Sequence, residues 1–192
     1  MGTRGFITFA VNDEEKTAYN HWDSYPDGLG LAVLGWLREA AKDPAALRQQ
    51  AAALQVASPG SAPTDEDVAR LAGFADQGVG TGSLRDWYVL LRATQGEPGL
   101  MLAAGVIEDA RDFPLDSLFA EWGYVIDLDG DGLFEVYRGF QKQPHDLGRF
   151  ASRSEPGGNH GYYPCARTAR WPLAALPGNE EFLAQLREDD DE

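Results

Sequence analysis

The sequence predicts an α+β domain, with an antiparallel sheet built from two hairpins plus a further strand and helices packed mainly on one side. Three observations predict it. Two β-rich stretches, beginning at Gly5 and Trp122, each double back across a polar turn. Between them, apolar residues recur at helical spacing. A further β-type run and one amphipathic stretch close the chain.

Gly5-Phe6-Ile7-Thr8-Phe9-Ala10-Val11 is rich in branched and aromatic residues, as strands are. Asn12-Asp13-Glu14-Glu15 reads as its turn and Lys16 to His21 as the return strand. Tyr25-Pro26-Asp27-Gly28 marks a second turn, since proline fixes φ and glycine tolerates positive φ. Leu29, Val33, Trp36, Leu37 and Ala40 then share a helical face. Asp43 followed by Pro44 predicts an N-cap and first helical residue for a helix carrying Leu47, Ala51 and Leu54. Residues 57–63 form a linker, after which Thr64 and Asp67 make a capping box for a helix burying Val68, Leu71 and Ala72. Gly78 to Gly82 is a connector, and Ser83 caps a helix over Leu84–Thr94. A further helix is expected over Leu100–Asp109. Trp122 to Leu128, the turn Asp129-Gly130-Asp131-Gly132 and Leu133 to Tyr137 form the second hairpin. Residues 141–161 read as a long loop, Tyr162–Arg170 as a strand, and Asn179 as the cap of a last helix burying Phe182, Leu183 and Leu186.

At 192 residues, the chain fits one domain, taken as 1–187, followed by an acidic tail over 188–192. A chain of this size buries roughly 70% of its unfolded surface, so its core needs no metal or disulfide. The single cysteine, Cys165, is expected to be buried and inert. The net charge of −15 repels phosphate backbones and anionic bilayers, which argues against nucleic acid and membrane as partners. Arg149, Arg153, Arg167 and Arg170 lie in one stretch that would allow a local basic patch. No run reaches the roughly 18 apolar residues of a membrane span, and the N-terminus lacks a signal-peptide pattern. A cytoplasmic location follows as the expectation.

The densest polar and aromatic segment is Tyr19-Asn20-His21-Trp22-Asp23-Ser24-Tyr25-Pro26. If the strand persists, Tyr19, His21 and Asp23 share one face and Trp22 the other. That arrangement would let Asp23 orient His21 as a base, raise the imidazole pKa, or hold a small polar ligand. It equally fits capping by Asp23 and Ser24 with packing by Tyr19 and His21. Trp22 is expected to be core. Arg4, Tyr19, His21, Trp22, Asp23 and Tyr25 are the candidate ligand-binding residues, with no metal and no cofactor. Asp127, Asp129 and Asp131 with Gly132 match the start of a calcium loop, but Arg138 stands where that loop needs glutamate, so a plain turn is expected. The glycines over 78–82 lack the lysine and hydroxyl of a phosphate-binding loop.

Met1-Gly2-Thr3-Arg4-Gly5, Lys16, and His21-Trp22-Asp23-Ser24-Tyr25-Pro26 with Gly28 and Gly30 resemble an uncharacterised family of bacterial and phage proteins. Ile126-Asp127-Leu128-Asp129 and Glu135-Val136-Tyr137-Arg138-Gly139 resemble that family's second hairpin. The resemblance spans both hairpins but departs at Ser24, where relatives carry Gly, and at His21, where several carry Gln. That alternation argues against an essential histidine base. It points to the N-terminal segment as a site and names no reaction. A strand so close to Thr3 is also reminiscent of N-terminal-nucleophile hydrolases, whose mature first residue acts as nucleophile and base. Two functions are therefore carried forward. One is a small binding protein for a small molecule or a basic protein, and the other a hydrolase.

Overall fold

A computed structural model describes residues 2–155 and 158–188 of the chain. The acidic residues 189–192 lie outside the described residues. Strands β1 (Gly5–Val11) and β2 (Glu14–Asn20) form the first hairpin. Its turn is Asn12-Asp13, with φ of 56° and 62°. Two successive left-handed residues match the right-handed twist of the strands they join. Because Asn and Asp tolerate that region, the ladder runs up to the turn, and Glu14 and Glu15 belong to β2 rather than to a four-residue loop.

The short strands β3 (Gln55–Ala57) and β4 (Val106–Glu108) form a separate two-stranded parallel sheet. Strands β5 (Trp122–Asp127) and β6 (Leu133–Arg138) make the second hairpin, and β7 (Ala166–Pro172) pairs with β6. The five-stranded sheet has the order β2-β1-β5-β6-β7. It is mixed, not antiparallel as expected. β1 and β5 run parallel, with Gly5 opposite Trp122 and Ala10 opposite Asp127. Parallel neighbours need a long crossover, which the mostly helical segment between the hairpins supplies. Every residue of β1 is buried, as a central strand covered on both faces requires.

One face of the sheet, with Ile7, Phe9, Tyr124, Ile126, Phe134 and Trp171, joins three helices in one apolar cluster. These are α1 (Leu31–Ala40, through Val33, Leu34 and Leu37), α2 (Pro44–Ala53, through Leu47 and Ala51) and α6 (Asn179–Glu188, through Phe182 and Leu186). On the other face Phe6, Ala10, Val125 and Tyr137 meet Ala120, Phe150 and Cys165 from the connecting segments. A third cluster joins α3 (Asp65–Leu71), α4 (Trp87–Leu90), α5 (Pro98–Ala104) and β4 through Leu71, Trp87, Leu90, Ala104 and Val106. This layer is tied to the sheet edge where the Ala110 amide donates to the Thr17 carbonyl at 2.9 Å.

Several local expectations are corrected. Asp86, not Ser83, caps the helix before Tyr88, which confines α4 to one turn instead of Leu84–Thr94. α5 starts at Pro98 and stops at Gly105, whose φ of 70° suits glycine, so residues 106–108 are strand, not helix. β7 begins at Ala166 rather than Tyr162. Ala72 is exposed in a 3₁₀ turn beyond α3. The Asn179 carboxamide oxygen accepts from Arg38 at 2.8 Å, so it ties α6 to α1. Asp43 and Thr64 cap as read, with Asp67 completing the capping box. The arginine stretch is no basic patch, since Arg149, Arg153 and Arg167 are spent on Glu15, Asp112, Asp127 and Glu135.

Candidate functional site

The polar segment leaves the sheet at Asn20, and Asp23 takes a φ of 52°. The two-residue alternation therefore ends before His21. Tyr19, His21 and Asp23 do not share a strand face. A buried clasp sets the path. Asn20 Nδ2 donates to Ser24 Oγ at 2.8 Å, the Ser24 amide to the Thr3 carbonyl at 3.2 Å, and the Tyr124 hydroxyl to the Ser24 carbonyl at 2.9 Å. Glycines make this crossing close enough. A Cβ on Gly5 would stand 2.6 Å from Ser24 Cβ, one on Gly28 2.8 Å from the Asp23 carboxyl carbon, and one on Gly2 2.5 Å from the Trp22 ring. The N-terminal residues and the Trp-Asp-Ser-Tyr-Pro segment are thus two halves of one packing unit. Thr3 is buried inside it at 3% exposure.

The candidate residues separate accordingly. Trp22 is not core; its ring lies over Gly2 and is 53% exposed. Trp22 and Asp23 border an open groove with Asp76, Arg92, Gly96 and Glu97. Tyr25 faces a different cleft, of about 320 Å³, with Trp122, Arg138 and Phe140. Arg4 is exposed, its guanidinium 5.3 Å from the Phe119 ring centre. His21 pairs with Tyr19 rather than Asp23. Its Nδ1 lies 2.6 Å from the Tyr19 hydroxyl, in a hydrogen bond whose direction follows the imidazole tautomer. The imidazole pKa is lowered, not raised, by partial burial and by the cations Arg92 and Arg4.

Tyr19 leads instead to a partly open pocket between the sheet edge and the helical layer. Between β2, α4, α5 and β4 lies a cavity of about 170 Å³, walled by Tyr19, Trp87, Tyr88, Leu91, Met101 and Ile107, with Thr94, Gln95, Glu108 and Asp109 as its polar side chains. The Tyr88 ring extends the aromatic wall to His21, at 6.2 Å between ring centres. Glu108 carries no hydrogen bond or ion pair with any described residue. Burial and the nearby Asp86 hold its carboxyl above the ordinary glutamate range. Burial likewise raises the Tyr19 hydroxyl. Clustered perturbed groups around one concave space are what a binding or catalytic site produces.

Of the sequence candidates Tyr19 lines this cavity, and Trp87, Tyr88 and Glu108 were not among them. The two aromatics fall in the helix expected over Leu84–Thr94, and Glu108 in the helix expected over Leu100–Asp109, where the structure has strand β4. Elsewhere, Asp129 accepts from the Asn12 and Asp13 amides and pairs with Arg48, while Asp127 pairs with Arg149, so both carboxylates bind protein groups. Cys165 is fully buried, which pushes its thiol well up, and it donates to the Ala120 carbonyl. Among the described residues no cluster of three or more His, Cys, Asp or Glu could hold a metal, and no helix is long and apolar enough to cross a membrane. No family model matches the chain, and neither a curated protein nor a solved structure matches it significantly.

Proposed function

We propose that this protein is a non-catalytic binding protein whose ligand sits in the cavity between Tyr19, Tyr88 and Glu108. The observation that carries the reading is the Glu108 carboxyl, half-buried in an aromatic-walled space without a protein partner. Partial burial already disfavours the charged carboxylate, and a ligand group that pairs with it would offset that cost. A hydrolase reading finds less support. His21 meets a phenol rather than a hydroxyl nucleophile, and Thr3 is buried with its carbonyl bonded to Ser24. We further propose, on the motifs of both hairpins, membership of the bacterial and phage family they resemble, and a cytoplasmic location.

A fragment screen on the ¹⁵N-labelled protein tests the site. Hits should shift amides of Tyr19, Tyr88 and Glu108 together, and Glu108→Gln should weaken them. Hits clustered instead at Trp22 or at Tyr25 would move the site to one of the open clefts and overturn the assignment.

A further inference from the structure

We infer that the ligand presents a compact methylated ammonium group to the Glu108 cavity. The inference rests on the pocket reading above and names the chemistry that pocket selects. Three aromatic side chains, Tyr19, Trp87 and Tyr88, stand in its wall, and no lysine or arginine does. Ring quadrupoles attract cations, most strongly where the cation is desolvated. Of the two carboxylates in the lining, Asp109 is occupied, both oxygens accepting from Arg111 at 3.0 Å and 2.6 Å. Glu108 alone is left to neutralise a guest.

The other classes fit worse. An anion would face Glu108, with Asp86 close enough to act on the same carboxyl. A neutral apolar guest would leave Glu108 desolvated and uncompensated. A primary ammonium is a compact, strongly hydrated charge that gives up more solvation on entering an aromatic wall. A methylated ammonium needs no hydrogen-bond acceptor, only aromatic and carboxylate surroundings. Arg92 and Arg4 do not line the cavity, although both act on Tyr19 and His21 and the Arg92 guanidinium stands 5.7 Å from the Tyr88 ring centre. Size agrees as well. At about 170 Å³ the space suits a head group, since a cavity of about 150 Å³ holds a benzene.

Calorimetry and NMR on the full chain decide it, with choline against its uncharged isostere 3,3-dimethylbutan-1-ol. Choline should shift the Trp87 indole and Glu108 signals and bind about tenfold tighter than the alcohol. Glu108→Gln should erase that difference while leaving the alcohol's affinity unchanged. Equal binding of both probes in the cavity overturns the cation inference and keeps the pocket. Absence of any shift at Trp87 and Glu108 with either probe, or with the fragment set, removes both. Because the same group occurs on free amines and on trimethylated lysine side chains, a trimethyllysine peptide forms the last arm. Tighter binding of the peptide than of free trimethyllysine assigns the group to a protein, and equal binding assigns it to a small molecule.

Discussion

Arg149 Nη2 lies 2.9 Å from Glu135 Oε2, deep against the sheet where Glu135 is only 2% exposed. The same oxygen accepts from Arg149 Nε at 3.1 Å and from the Tyr137 hydroxyl at 3.0 Å, while Oε1 accepts from Arg167 at 2.9 Å. Burial and the Glu135 carboxylate push the Tyr137 hydroxyl up to about 12. Both oxygens of the buried carboxylate are thus hydrogen-bonded. Removing Arg149 leaves Glu135 with Arg167 and the Tyr137 hydroxyl and takes the cation from Asp127, so the cost falls short of the about 3–5 kcal/mol of a fully broken buried pair. Arg149→Ala should lower stability by about 2–3 kcal/mol in urea melts. A loss below about 1 kcal/mol would mean the network is solvated and carries little energy.

Lys16 does a related job at the opposite face. Its Nζ donates to the carbonyls of Ala51, Ala52 and Leu54, at 3.0, 2.8 and 2.8 Å, at the C-terminus of α2. The last carbonyls of a helix lack i+4 amides, here only Ala51 O receiving the Leu54 amide at 3.3 Å, and the helix dipole favours a cation there. Lys16→Met keeps the stem and removes the donors, at an expected cost of about 2–3 kcal/mol. Amide exchange should quicken over residues 51–57 before it does elsewhere. Uniform acceleration across the sheet would contradict a local capping role.

His21 gives a pH test with a definite sign. Its folded pKa lies below the ordinary histidine value of 6.5, chiefly from burial and then from Arg92 and Arg4. Above 6.5 the ring is neutral in both folded and unfolded chains, and it makes no pH-dependent contribution. As pH falls below 6.5 the unfolded chain takes up the proton first, so stability drops until the folded pKa is passed. An NMR titration should place the midpoint below 6.5, and His21→Gln should flatten this part of the stability profile. A midpoint above 6.5 would restore a carboxylate partner for the ring.

The Asn12-Asp13 turn offers a gain. Asp13 holds a φ of 62°, which costs a residue with a Cβ about 1 kcal/mol relative to glycine. Its amide, which donates to Asp129 at 3.0 Å, survives replacement by glycine. Asp13→Gly should raise the thermal midpoint by an amount corresponding to about 0.5–1 kcal/mol. A lower midpoint would show that the Asp13 side chain itself supports the turn.

Local signals were legible and distant adjacency was not. Alternation in Ile7, Phe9 and Val11, the Gly-rich turn after Asp129, and the caps Asp43 and Thr64 all act within a few residues of themselves, and each appears in the fold. The three-residue strands β3 and β4 carry no such signature, because their stability comes from each other across the sequence. Assigning Val106-Ile107-Glu108 to a helix concealed the cavity, which exists only because β4 is laid beside β2. Trp22 was misplaced for a different reason. Alternation places Trp22 only if the chain stays extended past Asn20, and strand β2 ends at that residue. The parallel register of β1 and β5 was equally hidden, since either orientation buries the same apolar residues.

That register also dictates an order of assembly. The first hairpin closes within twenty residues, but the second edge of β1 meets its partner only when Trp122 to Asp127 have been made. A nascent chain therefore carries a mostly apolar strand with one open edge through the synthesis of the whole intervening helical segment. Such edges recruit foreign strands. Early docking of α1 and α2 onto Ile7 and Phe9 shields a face but leaves the backbone hydrogen bonds of that edge unsatisfied. Refolding should accordingly be slow for the chain's size and sensitive to protein concentration, because its central pairing closes the longest loop in the sheet.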